Sequence, residues 1–109
     1  MNNEYIAVPS TKNDNGIFAV SKTVIESIAS IAVGEMSEVK IPEKTAFSPP
    51  VVCKIVDKSI NLAISIRINY NRNIATTCLA VQNKINQALQ QTLALTCHNI
   101  DVRVVGFII

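Results

Sequence analysis

The sequence predicts an α+β domain: a mixed, largely antiparallel sheet with two helices packed on one face. Three stretches carry that prediction. Ile60-Asn-Leu62-Ala-Ile64-Ser-Ile66-Arg-Ile68-Asn-Tyr70 alternates without a fault, a helix-period stretch runs from Ile74 to about Thr96, and Ile100-Asp-Val102-Arg-Val104 alternates again. Period-two alternation lays one strand face on a core and leaves the other to solvent, and the intervening helix must cover the apolar side. Strands and helices in mixed order, with sequential strands antiparallel, give the class.

Taken in order, Tyr5-Ile6-Ala7-Val8 is a short apolar strand stopped by Pro9, an edge strand or an ordered arm. Ser10 to Gly16 is turn-rich, with Asn15-Gly16 suited to positive φ, and Ile17 to Val20 reads as a second strand. A helix begins near Ser21, capped by Ser21 itself or by Thr23 with Glu26 in a capping box. Val24, Ile25, Ile28, Ile31 and Ala32 form its inward stripe, Glu26, Ser27 and Ser30 face away, and Gly34 is its terminator.

Glu38 to Ile41 is a further short strand, and Pro42 to Pro50 a loop punctuated by prolines. Val51 to Val56 forms a hairpin with the long strand through Asp57-Lys58-Ser59. With Lys58 and Ser59 in the turn, Cys53 faces Ile64, Ile55 faces Leu62 and Val51 faces Ile66, which puts the apolar sets on one side. The second helix buries Ile74, Cys78, Val81, Ile85, Ala88, Leu89 and Thr92. Its outer face carries Thr76, Asn83, Lys84, Gln87, Gln90 and Gln91, with Lys84 its one charge. The last strand starts near Asn99, and Gly106 marks a bulge or a close approach. The expected core is Val24, Ile25, Ile28, Ile31, Leu62, Ile64, Ile66, Ile68, Ile85, Leu89, Val102 and Val104.

With 109 residues, 1–109 read as a single domain, large enough for a core but not for a cleft between two domains. A hydrophobic fraction of 49% excludes a disordered chain, and at 17% charged residues uncharged polar groups must cover much of the surface. No apolar run approaches the roughly 18 residues that span a bilayer. The opening residues lack a basic start followed by an apolar stretch, so no signal peptide is read. Three cysteines, an odd number without a secretory signal, point to reduced thiols and a cytoplasmic location.

No residue set offers chemistry. Cys97-His98 is the one metal-suggestive pair, but zinc needs four ligands and adjacent strand residues point to opposite faces. As nucleophile and base the pair lacks an orienting third group. The carboxylates show no pairing pattern, and three glycines cannot build a phosphate cradle. The expectation is therefore no catalytic residue, no metal, no cofactor and no enzyme.

The sheet's open face presents Lys54, Asn61, Ser65, Arg67, Asn69, Asp101 and Arg103. Its bases could meet phosphates, so a nucleic-acid-binding module is the alternative reading. The absence of an aromatic platform and the net charge of only +2 weigh against it. Two features favour protein association. The second helix's outer face is polar but nearly uncharged, as interface cores are, and the stretch Val104-Val105-Gly106-Phe107-Ile108-Ile109, too apolar to leave in water without cost, packs either on the domain's own core or on a partner. The candidate interaction surface comprises Lys54, Arg67, Asn69, Arg103, Lys84, Gln87 and Gln91.

Two stretches resemble the alkaline-shock-protein family, the Gls-type envelope stress proteins of Gram-positive bacteria. Asn15-Gly16-Ile17-Phe-Ala-Val-Ser-Lys-Thr-Val24-Ile25-Glu-Ser-Ile28-Ala29-Ser-Ile-Ala32 is similar to that family's opening glycine, short strand and first helix. Ile68-Asn-Tyr70-Asn-Arg-Asn-Ile74 through Lys84-Ile85, continued by Asn99-Ile100-Asp-Val102-Arg-Val104-Val105-Gly106, resembles its strand, helix and closing strand. The chain departs from the pattern in three places. Met36-Ser-Glu-Val39 replaces a Gly-Val pair, Asn71 stands for a glycine it could mimic at positive φ, and Thr96-Cys97-His98 lacks the glycine that ends the second helix. The resemblance implies a non-enzymatic, cytoplasmic bacterial protein, and together with the surface features it makes the expected role that of a homo-oligomeric scaffold or adaptor. It would gather at the membrane through protein partners, including a membrane-anchored one, with links to envelope stress or lipid synthesis.

Overall fold

A computed structural model describes residues 4–8, 18–43 and 49–109. Its elements in chain order are β1 (Tyr5–Val8), β2 (Phe18–Ser21), α1 (Lys22–Gly34), β3 (Val39–Lys40), β4 (Val51–Val56), β5 (Ser59–Asn69), α2 (Ile74–Leu93) and β6 (Asn99–Ile108). The fold is mixed α+β, with a two-stranded antiparallel sheet of β1 and β2 and a four-stranded sheet organised around β5. The expected turn at Asn15-Gly16 and most of the proline loop fall outside the described residues.

β5 is the axis of the larger sheet. Along one edge β4 pairs antiparallel with residues 59–64 and β3 with residues 67–68, and β6 runs parallel along the other edge. The β5–α2–β6 passage is thus a crossover that returns β6 parallel to β5, with α2 on the apolar face. Ile60, Leu62, Ile64, Ile66 and Ile68 of β5 are all buried, as are Val51, Cys53 and Ile55 of β4. They form one core with Ile25, Ala29 and Val33 of α1 and Val81, Ile85 and Leu89 of α2, so both helices cover the same side.

The hairpin register differs from the expected one by two residues. Val51 lies opposite Ile64, Cys53 opposite Leu62 and Ile55 opposite Ile60, which leaves Asp57 and Lys58 as the turn. Both have positive φ, 49° and 64°, the signature of a two-residue turn whose twist matches the strands. A slip of two preserves every inward and outward assignment, so alternation alone could not discriminate between the registers.

The phase of α1 also differs. Its buried residues are Ile25, Ala29, Ala32 and Val33, whereas Val24 is 42% and Ile31 66% exposed. Small Ala29 and Ala32 let the helix approach closely, and the stripe follows them rather than the larger isoleucines. Ser21 is the N-cap, its hydroxyl accepting the Val24 N–H, so the Thr23–Glu26 capping box is not formed. Glu26 does not face away: its carboxylate accepts the Cys53 N–H of β4 at 2.8 Å.

In α2 the buried stripe is Thr77, Val81, Ile85 and Leu89. Ile74 and Thr92, expected inside, are exposed, and the Thr77 hydroxyl instead returns to the Asn73 carbonyl at 2.7 Å. Asn73 caps the helix by accepting the Thr76 N–H. Asn71 does not hold positive φ; the left-handed residue that ends the helix is Ala94, at φ 55°. Gly106 meets its expectation: the β5–β6 register shifts there, and a Cβ on it would sit 3.6 Å from the Arg67 side chain.

Candidate interaction surfaces

The seven expected surface residues fall on two opposite sides of the molecule. Lys54, Arg67, Asn69 and Arg103 stand on the sheet face that the helices leave open, because each occupies a register position between core-facing neighbours. Lys84, Gln87 and Gln91 stand on α2, on the helical side.

On the open face, the register lays Lys54 beside Asn61 and Arg103 beside Ser65. The Asn99 side-chain amide donates to the Asn61 side-chain oxygen at 2.7 Å, tying β6 to β5 at that level. Arg67 lies between Gly106 on one side and Lys40 of β3 on the other. Lys40, exposed and directly opposite Arg67, is a surface residue that sequence reasoning missed. Like charges in directly opposed cross-strand positions repel, and an anionic contact would relieve the pair. Asp101, exposed beside Ala63, is the acidic counterweight on β6.

On the helical side, α1 and α2 border a groove of about 410 Å³. Ile28, Ile31, Ala32 and Glu35 form one wall, and Lys84, Gln87, Ala88, Gln91 and Thr92 the other. Lys84 Nζ and Glu35 Oε1 meet at 3.2 Å, so the one charge of α2 is neutralised by an ion pair at the groove. Such an exposed pair contributes little to stability, about 0–1 kcal/mol. Apart from that pair the groove is lined by amides, a hydroxyl and apolar side chains, with Ile31 largely in solvent.

Cys53 and Cys97 belong to the interior, and Cys78 is half-buried. Burial pushes the Cys53 thiol up to about 11, with the nearby Glu26 charge adding to the effect, and burial raises the Cys78 and Cys97 thiols as well. Cys97 Sγ lies 3.4 Å from the Ile60 carbonyl and 3.3 Å from that of Asn99, while His98 is exposed. A protonated, buried sulfur and a solvent-facing imidazole are not a nucleophile–base pair. No group of three or more His, Cys, Asp or Glu among the described residues could hold a metal ion. No helix among them is long and apolar enough to cross a membrane.

A small α+β fold with polar residues exposed on both sides of one sheet, and with Cys53 and Cys97 buried as protonated thiols, defines the class. The chain belongs to the alkaline shock protein 23 family, described as having a cell envelope-related function, with residues 10–109 matched. No curated protein and no solved structure matches it.

Proposed function

We propose that this protein is a non-enzymatic bacterial scaffold or adaptor that acts through protein–protein contacts at envelope or lipid-synthesis machinery. The observation that carries the reading is the interhelical groove. An exposed isoleucine, Ile31, stands beside Gln87, Gln91 and Thr92 in a groove whose two charges, Lys84 and Glu35, pair with each other, a composition that suits a protein contact better than open water. A cytoplasmic position, association with itself and recruitment to the membrane by an anchored protein complete the proposal. Free cysteines at all three positions are compatible with a reducing compartment.

The test is site-specific photo-crosslinking in cells from position 87, compared with position 83 on the exposed helix surface. A discrete protein adduct from position 87 that Ile31→Glu abolishes is the expected result. The same adducts from both positions, or none from position 87, would reject the groove as a contact surface.

A second reading, nucleic-acid binding, draws support from Lys40 beside Arg67 on the open face. It requires salt-dependent binding of single-stranded or duplex nucleic acid that falls when Lys40 and Arg67 are changed to glutamate. Absence of binding at low salt disposes of it.

A further inference from the structure

The two outer edges of the larger sheet are treated differently. On β4 the Glu26 carboxylate occupies the outward Cys53 N–H. On β6 the pattern of hydrogen bonds can be read from β5. Ser65 and Asn69 donate to the Pro50 and Glu38 carbonyls at 2.8 and 3.0 Å, so odd-numbered residues of β5 address the β3/β4 edge. Tyr70, just beyond β5, donates to the Ile108 carbonyl at 3.2 Å, so even-numbered positions address β6. In a parallel ladder a residue bonds the two neighbours of its partner and not the partner itself. Ile100, Val102 and Val104, the partners of Leu62, Ile64 and Ile66, therefore turn their own N–H and C=O groups outward. The Gln82 side chain shows this directly at the start of the strand, donating to the Ile100 carbonyl at 3.0 Å. At Val102 and Val104 no partner for these groups exists among the described residues.

An unpaired edge of this kind is a template for another strand. We propose that β6 pairs antiparallel with β6 of a second copy of the chain, about a two-fold axis at Val102. The charges select both the occupant and the register. With the axis at Val102, each Asp101 stands opposite the copy's Arg103, so the pairing makes two opposite-charge contacts on the open face. Moving the axis one residue either way sets Asp101 against Asp101 or Arg103 against Arg103. Cross-strand pairs of opposite charge stabilise and like charges directly opposite destabilise, so the first register wins. It is also the register the backbone permits. Val102 exchanges both bonds with its counterpart, and Ile100 does so with Val104, which are the residues whose groups point outward. Asp101 and Arg103 then fall in the non-hydrogen-bonded positions, where opposed side chains come closest.

Burial points the same way. Val102 and Val104 are only half-buried although they lie on the core face of the sheet. Leu79, 59% exposed, stands three and seven residues before Gln82 and Asn86. Those two reach the Ile100 carbonyl and the Cys97 N–H, so Leu79 lies on the flank of α2 nearest β6. A second copy continuing the sheet brings the two Leu79 flanks toward each other above the joined strands. Ile100 keeps the Gln82 bond on one carbonyl lone pair and accepts from Val104 on the other.

The pairing rests on the self-association included in the scaffold reading and supplies its geometry. Sedimentation equilibrium of the full chain tests it, with circular dichroism melts to establish folding. The wild type sediments as a concentration-dependent dimer. Asp101→Arg and Arg103→Asp each weaken the dimer about tenfold or more, because two like-charge pairs replace two attractive ones. Asp101→Arg with Arg103→Asp together recovers wild-type affinity. Val102→Pro removes an outward N–H that the fold itself does not use, and yields a folded monomer. A wild-type monomer at all concentrations overturns the proposal, as does a dimer indifferent to Val102→Pro. A dimer weakened by the double exchange as much as by the single ones overturns the register. Crosslinking from position 87 separates the two readings: an adduct retained by a monomeric wild type defeats the edge pairing alone, whereas a dimer without that adduct defeats the scaffold.

Discussion

The Glu26 carboxylate of α1 accepts the backbone N–H of Cys53 on β4 at 2.8 Å, a contact between residues 27 apart in the chain. It joins the first helix to the sheet edge and blunts that edge at the same point. The Cys53 N–H turns away from β5 and would otherwise need water in a part-buried position.

Glu26→Ala should therefore cost about 1–3 kcal/mol, the penalty of leaving a partly buried donor without its acceptor. Glu26→Gln, which keeps an acceptor oxygen, should lose less. Urea denaturation of the three proteins measures both. Equal stability of the alanine variant and the wild type would mean that water replaces the carboxylate without loss.

Ile25 and Ile31 offer a paired test of helix phase, since they share side chain and helix but are 0% and 66% exposed. Ile25→Ala should cost about 2–5 kcal/mol as a core truncation. Ile31→Ala should stay within about 0.5 kcal/mol, as surface changes do. Chemical denaturation decides between this phase and the one in which Ile31 packs inward, which would make the two losses similar.

The raised thiols set an alkaline limit on stability. Cys53 ionises near 11 in the folded protein and near 9.0 when unfolded, so between those values the unfolded chain has released a proton that the folded one retains. The Cys53 contribution to stability is thus constant below about pH 8 and is lost as pH rises through 9 towards 11. Cys53→Ala should flatten the alkaline limb while lowering the plateau. At pH 8, a thiol reagent should modify half-buried Cys78 before buried Cys53 and Cys97. Thermal melts across pH and timed labelling measure the two effects. Simultaneous labelling of all three thiols would show that the core opens as a unit.

Much of the fold was legible because alternation at period two is local and unambiguous. The long strand, both helices and the closing strand fall where the sequence predicts them, to within a few residues at their ends. What escaped were quantities that periodicity leaves undetermined. A hairpin slip of two residues is invisible to it, and only the αL demands of Asp57 and Lys58 separate the registers. Ile25 and Ala32 of α1 lie inward as the sequence predicts, but the buried stripe is completed by Ala29 and Val33 rather than by Val24 and Ile31. For the surface, the two groups were separable in the sequence, because both helices were expected on one sheet face, with Lys54, Arg67, Asn69 and Arg103 on the other. Lys40 was missed because its neighbour Arg67 lies far along the chain, and nothing local announces that β3 pairs with that end of β5.

Ala94 carries the last prediction. It closes α2 in the left-handed region at φ 55°, with its N–H donating to the Gln90 carbonyl at 3.0 Å. The left-handed turn brings the Leu95 N–H back to the Leu89 carbonyl at 3.4 Å, satisfying another carbonyl of the last turn, and it is a conformation in which a Cβ crowds the following carbonyl oxygen. Glycine has no such cost at this position, whereas a β-branched side chain pays more than alanine does. Ala94→Gly should therefore stabilise the domain by about 1 kcal/mol, less the extra entropy that glycine gains in the unfolded chain, and Ala94→Val should destabilise it. Denaturant midpoints of the two variants measure the difference. A loss on Ala94→Gly would mean that the methyl group contributes packing worth more than the backbone strain it causes, although Ala94 is exposed.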